Sequence, residues 1–202
     1  DGRNILTDLS IMKTDYFSRN LLLGNIRGLQ PGLLPKVIDG EIQGDIYLNN
    51  LTELQPGLLP EKCEGINGLL VLNGWRTLKP GLLPKKIREL YLNKLEELKP
   101  GCLPTNYVGI LSLRSLKLLY PGSLPEIVEY LYLDGVVELH SGNLPKDMLK
   151  ILSLNGLKKL YPGSLPKNIG DLYLNGFEEL QPGCLPQNVD GLYLNSLKVL
   201  NL

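Results

Sequence analysis

Residues 169–186 read IGDLYLNGFEELQPGCLP, and this stretch holds both halves of a unit that recurs along the chain. In its first half, the apolar side chains of Leu172 and Leu174 stand on either side of Tyr173, whose side chain can be exposed to solvent. This alternation is typical of a half-buried strand. The second half ends in a Pro-Gly pair. Because proline presets a φ of about −65° and glycine accepts a positive φ, Pro182 and Gly183 predict the centre of a type II turn.

The turn string Pro-Gly-x-Leu-Pro recurs at intervals of 20 to 25 residues. It begins at Pro31, Pro56, Pro80, Pro100, Pro121, Pro162 and Pro182, and a variant, SGNLP, begins at Ser141. All 15 prolines of the chain lie in these copies, which accidental similarity between segments does not explain. A fixed period of this length is typical of a solenoid, in which each unit contacts its neighbours along one axis.

A single unit is too small to bury its leucines, so the sequence predicts stacked strands about 4.8 Å apart that form one parallel sheet. The two inward positions of each strand are predicted to merge into a continuous core. These pairs are Ile46/Leu48, Leu70/Leu72, Leu90/Leu92, Leu111/Leu113, Leu131/Leu133, Leu152/Leu154, Leu172/Leu174 and Leu192/Leu194. A third apolar residue precedes most of them by three positions, as Ile169 does in its unit.

The strand pattern Leu-x-x-Leu-x-Leu resembles that of leucine-rich repeats. The PGSLP return at 121–125 and 162–166 is similar to that of the FNIP repeat family of social amoebae and their giant viruses, which often follows an F-box. A weaker similarity is to the repeats of bacterial effectors, which also carry a Leu-Pro pair before the strand. This resemblance implies a leucine-rich-repeat solenoid. It would be a curved right-handed array with a parallel β-sheet on the concave face and irregular, polyproline-like or 3-10 return segments on the convex face.

The chain departs from the FNIP pattern in repeat length and in lacking a Phe-Asn pair in the turn, and residues 1–20 are too short for an F-box. We expect residues 1–20 to form an N-terminal cap, because they show no repeat phase. Residues 21–202 are expected to form the array, with about nine units of 20 to 25 residues and an incomplete last unit. An open C-terminal end favours self-association there.

Composition narrows the class of partner. The 21 basic and 21 acidic residues cancel, which removes the electrostatic argument for nucleic acid or an anionic membrane. No apolar run reaches the roughly 18 residues of a membrane span.

The cysteines are too far apart in the predicted solenoid to pair. Cys102 and Cys184 occupy the same position of units that are four apart, so the predicted distance between them is roughly 19 Å, which is too long for a disulfide. Unpaired thiols favour a reducing, cytoplasmic location.

Motifs for chemistry are missing from the sequence. It contains no CxxC pair, histidine cluster, phosphate-binding glycine loop or catalytic triad pattern, so we expect no enzyme activity, no cofactor and no metal site. The one histidine, His140, is interpreted as a surface residue of a turn. No acidic residue occupies the equivalent position of the neighbouring units, which have Tyr120 and Tyr161 there. Charges after the strand, such as Arg76, Glu96 and Lys117, mostly alternate in sign from unit to unit, which indicates a ladder of exposed ion pairs rather than a recognition stripe.

Three phases of the unit are predicted to face outward from the sheet: the middle strand position, the position two residues earlier, and the position that directly follows the strand. Arg114 occupies the last of these phases, which argues against an internal ladder of amides there. Six of the ten tyrosines fall in these phases. The candidate partner-binding residues are Tyr91, Ile110, Arg114, Tyr130, Tyr132, Asp134, Asp171, Tyr173 and Tyr193.

Tyrosine combines a large rigid contact area with a hydrogen-bonding tip, which suits a binding face. It is also a good strand residue whose rings stack between units, so both interpretations of the row stay open. The preferred function is a scaffold that recognises a protein partner, in a ubiquitin-ligase adaptor or an effector. The alternatives are a self-assembling structural or surface protein and a carbohydrate binder.

Overall fold

The computed structural model describes residues 16–17, 21–22, 31–49, 51–52, 57–146 and 149–200. These residues form a parallel β-solenoid and include no helix. Its strands are β1 (Tyr16–Phe17), β2 (Leu21–Leu22), β3 (Val37–Ile38), β4 (Glu41–Gln43), β5 (Ile46–Tyr47), β6 (Gly65–Val71), β7 (Lys86–Tyr91), β8 (Glu97–Leu98), β9 (Tyr107–Ser112), β10 (Leu118–Leu119), β11 (Ile127–Tyr132), β12 (Glu138–Leu139), β13 (Leu149–Ser153), β14 (Lys159–Leu160), β15 (Asn168–Tyr173), β16 (Glu179–Leu180), β17 (Asn188–Tyr193) and β18 (Val199–Leu200).

The predicted parallel sheet is confirmed. Ten strands form it in the order β17-β15-β13-β11-β9-β7-β6-β4-β2, with β5 also paired to β6. Each turn lies beside the next turn of the chain, and the register matches equivalent positions, so Leu111 lies between Leu90 and Leu131. The predicted cap, residues 1–20, falls outside the described residues except for β1, whose backbone pairs with β3.

The predicted inward leucines form the core. Both members of each pair from Ile46/Leu48 to Leu172/Leu174 are buried, with at most 1% of the residue exposed. The third apolar position is buried as well, as at Val128 and Ile169. Leu192 and Leu194, in the last described turn, are only partly buried against the core. One continuous apolar column therefore runs through the described turns, and its burial is the main stabilising contribution.

The turn glycines have the predicted positive φ. The glycine φ lies between +73° and +85° in all eight copies, in the region that favours glycine over residues with a Cβ. In the turn around Gly163, the Ser164 N–H donates to the Tyr161 carbonyl at 3.1 Å, which is the closing hydrogen bond of a β-turn.

From Cys102 onward, the residue after the turn glycine connects one turn to the previous one. The Ser123 and Ser164 hydroxyls donate to the carbonyls of Leu98 and Leu139, each at 3.1 Å. The Cys184 thiol contacts the Leu160 carbonyl in the same way at 3.2 Å. A small polar donor at this position therefore binds a backbone carbonyl that faces the interior.

The return side differs from the irregular or 3-10 segments that the resemblance implied. It carries two-residue strands that pair in twos: β8 with β10, β12 with β14, and β16 with β18. The sequence has a matching period of 41 residues, because residues 109–125 (GILSLRSLKLLYPGSLP) closely match residues 150–166 (KILSLNGLKKLYPGSLP). From β8 onward, the structural repeat is therefore a pair of turns rather than one turn.

Leu133→Ala is expected to lower the free energy of unfolding by about 2–5 kcal/mol, because it leaves a cavity in a fully buried column. Tyr132→Ala, one residue away on the half-exposed side, is expected to cost about 1 kcal/mol or less. Urea unfolding followed by circular dichroism measures both, and an equal loss would contradict the assignment of the two sides.

Gly163→Ala is expected to cost about 1–2 kcal/mol, because alanine is strained at a φ of +76° even though no atom lies within 4 Å of the added methyl group. Lys167→Ala, at an exposed position in the same return segment, is the matched control and should change stability by less than about 0.5 kcal/mol. If Gly163→Ala leaves the midpoint temperature of thermal unfolding unchanged, the turn tolerates another backbone geometry.

Candidate recognition surface

The middle strand positions form one continuous row across the sheet, which we call the tyrosine row. Each member is in register with the next: Tyr47, Val71, Tyr91, Ser112, Tyr132, Ser153, Tyr173 and Tyr193. Its tyrosines are partly exposed, whereas the leucines on either side of them are buried except in the last described turn. Ser112 and Ser153 are also buried, because they are short and lie between the larger side chains of adjacent turns.

A second row runs beside it, two residues earlier in each strand. It contains Leu69, Glu89, Ile110, Tyr130, Ile151, Asp171 and Gly191 in register. Ile110, Tyr130 and Asp171 are half-exposed. Together with Tyr91, Tyr132, Tyr173 and Tyr193 of the tyrosine row, they place seven of the nine predicted surface residues on one side of the sheet. The remaining two, Arg114 and Asp134, come two residues after the ends of β9 and β11.

The position after the strand holds a ladder of hydrogen bonds, so the expectation that Arg114 excludes such a ladder is wrong. The Asn175 side-chain oxygen accepts the Asn195 N–H at 3.0 Å, and the Asn155 oxygen accepts the Asn175 N–H at 3.2 Å. An equivalent bond joins Asn93 to Asn73 at 2.9 Å. These side chains point along the solenoid axis, not simply outward as strand alternation predicts, because the backbone leaves the strand geometry there.

Arg114 interrupts this ladder. Its N–H donates to the Asn93 side-chain oxygen at 3.3 Å, but its own side chain has no oxygen to offer the next turn. The ladder starts again at Asp134, whose carboxylate accepts from the Asn155 N–H at 3.2 Å and from the Ser153 hydroxyl at 2.5 Å. The Arg114 guanidinium forms an ion pair with the other oxygen of Asp134 and remains about half exposed.

Two aromatic contacts organise the tyrosine row. The Tyr173 and Tyr193 rings are stacked, with their centroids 4.2 Å apart and their planes at 4°. The Arg114 guanidinium lies over the Tyr132 ring, 4.6 Å from its centroid, in a cation–π contact. The structure thus brings Arg114, Tyr132 and Asp134 into one cluster, and Tyr173 and Tyr193 into another.

A charged cluster flanks the second row. The Lys150 ammonium donates to Glu129 at 2.6 Å and lies 5.7 Å from the centroid of the Tyr130 ring. The hydrogen bond from Lys150 holds the pKa of the Glu129 carboxyl below its usual range. Burial, and then a hydrogen bond that its hydroxyl donates to Glu129, raise the pKa of Tyr107. Lys150 is therefore engaged within the chain, as Arg114 is.

The segment between each sheet strand and the return carries the predicted ion pairs. Glu96 lies 3.7 Å from Arg76 and 3.5 Å from Lys117, and Lys198 pairs with Glu178 at 2.9 Å. These pairs are exposed, so solvent and salt screen them and each contributes little to stability. Lys158 departs from the pattern and donates to the Gly176 carbonyl at 2.9 Å.

His140 lies in a return segment and is exposed, as predicted, and it has an acidic neighbour in its own turn rather than at the equivalent position of a neighbouring turn. Its Nε2 lies 3.4 Å from Glu138, two residues earlier in its own strand segment, and its ring stacks on Tyr161 of the next turn. The Tyr161 hydroxyl donates to the same carboxylate at 2.7 Å.

The three cysteines are free, and Cys102 and Cys184 are buried. Burial raises the pKa of the Cys63 thiol to about 11, which disfavours the reactive thiolate at neutral pH. Within the described part of the chain, no three His, Cys, Asp or Glu side chains are grouped so as to hold a metal ion. No helix long and apolar enough to cross a membrane occurs in the same residues.

Comparison with protein-family models, with curated proteins and with solved structures gives no match to this chain. The assignment of a site therefore depends on the residues themselves.

The two-turn alternation of Tyr and Ser along the tyrosine row escaped the sequence interpretation. The signal for it is the ILSL string, which occurs at 110–113 and again at 151–154, two turns later.

Asn155→Ala is expected to lower the free energy of unfolding by about 1–3 kcal/mol, because it removes the acceptor of the Asn175 N–H and the donor to Asp134. Asn168→Ala is the matched control, since its amide bonds to Asn188 at an exposed position, and it should cost less than about 0.5 kcal/mol. If both variants unfold at the same urea concentration as the unmodified chain, the ladder contributes nothing measurable to stability.

Proposed function

We propose that this chain is a recognition scaffold that binds a protein partner on the side of the sheet that carries the tyrosine row. The observation that supports this most is the interruption of the amide ladder at Arg114, beside Tyr132 and Asp134. An asparagine there would continue the ladder, as it does at Asn93 and Asn155. Local departures from what the fold favours are typical of functional sites.

The composition of the surface supports a protein partner. Tyrosine and arginine dominate the binding energy of protein interfaces, because they bury a large area and keep polar tips for hydrogen bonds. The row from Tyr47 to Tyr193 spans seven strand spacings, about 34 Å, which is long enough for an extended contact. The equal numbers of acidic and basic residues give no reason to expect nucleic acid as a partner.

We further propose that the chain is a leucine-rich-repeat protein of the FNIP type, acting in the cytoplasm as the substrate-reading part of a ubiquitin-ligase adaptor or as an effector. The repeated PGSLP return, the parallel solenoid and the free cysteines of the described residues support this proposal. An adaptor of this kind needs a rigid surface and no catalytic groups of its own, because the chemistry is performed by the enzyme it recruits.

The test compares two double variants that each remove two partly exposed tyrosines. Tyr132→Ala/Tyr173→Ala alters the tyrosine row, whereas Tyr120→Ala/Tyr161→Ala alters the return side. Tagged chains capture partners from an extract of the source cells, and quantitative mass spectrometry compares the bound proteins. We expect a protein whose capture falls at least about tenfold with the first variant and not with the second.

Equal capture by the two variants would contradict the proposal. If light scattering gives a particle size that increases with protein concentration, and the first variant shows no such increase, the result would instead indicate self-assembly on this face. Binding to a glycan array that requires Tyr132 would indicate a carbohydrate ligand.

A further inference from the structure

The return side of the solenoid is divided into two-strand ribbons. β8 pairs with β10, β12 with β14, and β16 with β18, but β10 is not paired with β12, nor β14 with β16. On the sheet side, the strands of the same turns are all paired, from β7 through β17. We call the two breaks the first boundary, between β10 and β12, and the second boundary, between β14 and β16.

Backbone hydrogen bonds join the two turns of a ribbon on the return side. In the ribbon of β12 and β14, the Lys159 N–H donates to the Val137 carbonyl at 3.1 Å. In the ribbon of β16 and β18, the Val199 N–H donates to the Glu178 carbonyl, also at 3.1 Å. The two turns of each ribbon are therefore connected both in the sheet and on the return side.

Side-chain contacts add to the ribbons. The Tyr161 hydroxyl donates to the Glu138 carboxylate at 2.7 Å, and Lys159 forms an ion pair with the same carboxylate at 3.5 Å. In the ribbon of β8 and β10, the Tyr120 hydroxyl donates to Glu97 at 3.1 Å. Each of these exposed contacts is weak alone, but all of them lie within a ribbon.

At the boundaries, side chains rather than paired strands connect the turns. The Asn143 amide donates to the Leu119 carbonyl at 2.9 Å across the first boundary. Across the second, the Lys158 ammonium donates to the Gly176 carbonyl at 2.9 Å. The Cys184 thiol also crosses the second boundary, but a thiol is a weak donor.

A cleft of about 610 Å³ lies at the second boundary. One wall is residues 158–162, and the other is residues 176–181. Leu160 and Phe177, which are buried, line it as well. The two turns are thus parted on the return side, although β13 and β15 of the same turns are paired on the sheet side.

This asymmetry determines where the solenoid bends most easily. Hydrogen bonds and buried contacts set the free energy of local opening, so a junction without strand pairing on the return side opens there at the lowest cost. The paired strands of the sheet form the axis of such a bend, because they stay connected while the turns separate on the other side.

We propose that the solenoid bends at the two boundaries, where the return side opens while the sheet stays paired, and that each ribbon moves as a unit. The first boundary lies between the turns of Ser112 and Tyr132, and the second lies between the turns of Ser153 and Tyr173. Bending at these two places therefore sets the curvature of the tyrosine row.

The test measures distances between two spin labels on introduced cysteines, by pulsed electron paramagnetic resonance of the full chain. Two label pairs on the return side each span three turns, about 14 Å. Glu97→Cys/Lys159→Cys, the one-boundary pair, crosses only the first boundary. Leu118→Cys/Glu179→Cys, the two-boundary pair, crosses both.

The natural thiols must not take up the label. Cys102 and Cys184 are buried and stay in place, whereas the half-buried Cys63 is replaced by alanine. Mass spectrometry of each labelled chain then checks that it carries two labels.

We expect the distance distribution of the two-boundary pair to be at least about 1.5-fold wider than that of the one-boundary pair. On the sheet side, Glu89→Cys/Ile151→Cys and Ile110→Cys/Asp171→Cys span the same turns. These two pairs should have equal widths, because every junction between their residues is paired.

Two lysine variants test the second boundary. Lys158→Ala removes a contact across it, and should widen the distribution of the two-boundary pair further while leaving the one-boundary pair unchanged. Lys198→Ala is the matched control. It removes the equivalent lysine, whose ion pair with Glu178 lies within a ribbon, and should change neither distribution.

Equal widths for the two return-side pairs would overturn the proposal, and so would equal broadening of the sheet-side pair that spans the same turns as the two-boundary pair. If Lys158→Ala and Lys198→Ala have the same effect, the second boundary is not a hinge. None of these outcomes depends on a partner, so binding on the tyrosine row is tested separately.

Discussion

Hydrogen bonding between parallel turns in matched register is the constraint on which the rest of this structure depends. Once Leu111 is aligned with Leu90 on one side and Leu131 on the other, every equivalent residue of the unit is stacked on its counterparts. The same alignment produces the buried leucine column, the ladder of asparagines and the tyrosine row. A single residue position of the unit is therefore repeated in successive turns as a line of side chains about 4.8 Å apart along the solenoid axis.

Such alignment favours some residues and penalises others. Like charges stacked at this spacing repel, whereas amides bond to one another and aromatic rings stack. The asparagine ladder and the Tyr173–Tyr193 pair are favourable examples. Arg114 is the exception, since it carries a charge into a column of amides. Its position is accommodated because Asp134 of the next turn neutralises the charge and restarts the ladder.

The unit of construction from β8 onward is two turns rather than one, and this shapes both sides of the solenoid. On the return side, the short strands pair as β8 with β10, β12 with β14 and β16 with β18. On the other side, tyrosine and serine alternate from Tyr91 to Tyr173, so the rings do not form an even stack there.

The sequence alone determined the solenoid, the parallel sheet, the Pro-Gly turns and the leucine column, because each of these follows from a residue pattern within one unit. It also placed the nine candidate residues on the sheet or directly after a strand. Only the tertiary structure decided the amide ladder and the cluster of Arg114, Tyr132 and Asp134. These contacts join residues about one period apart whose side chains run along the axis, and strand alternation does not predict the direction of a side chain after the backbone has left the strand.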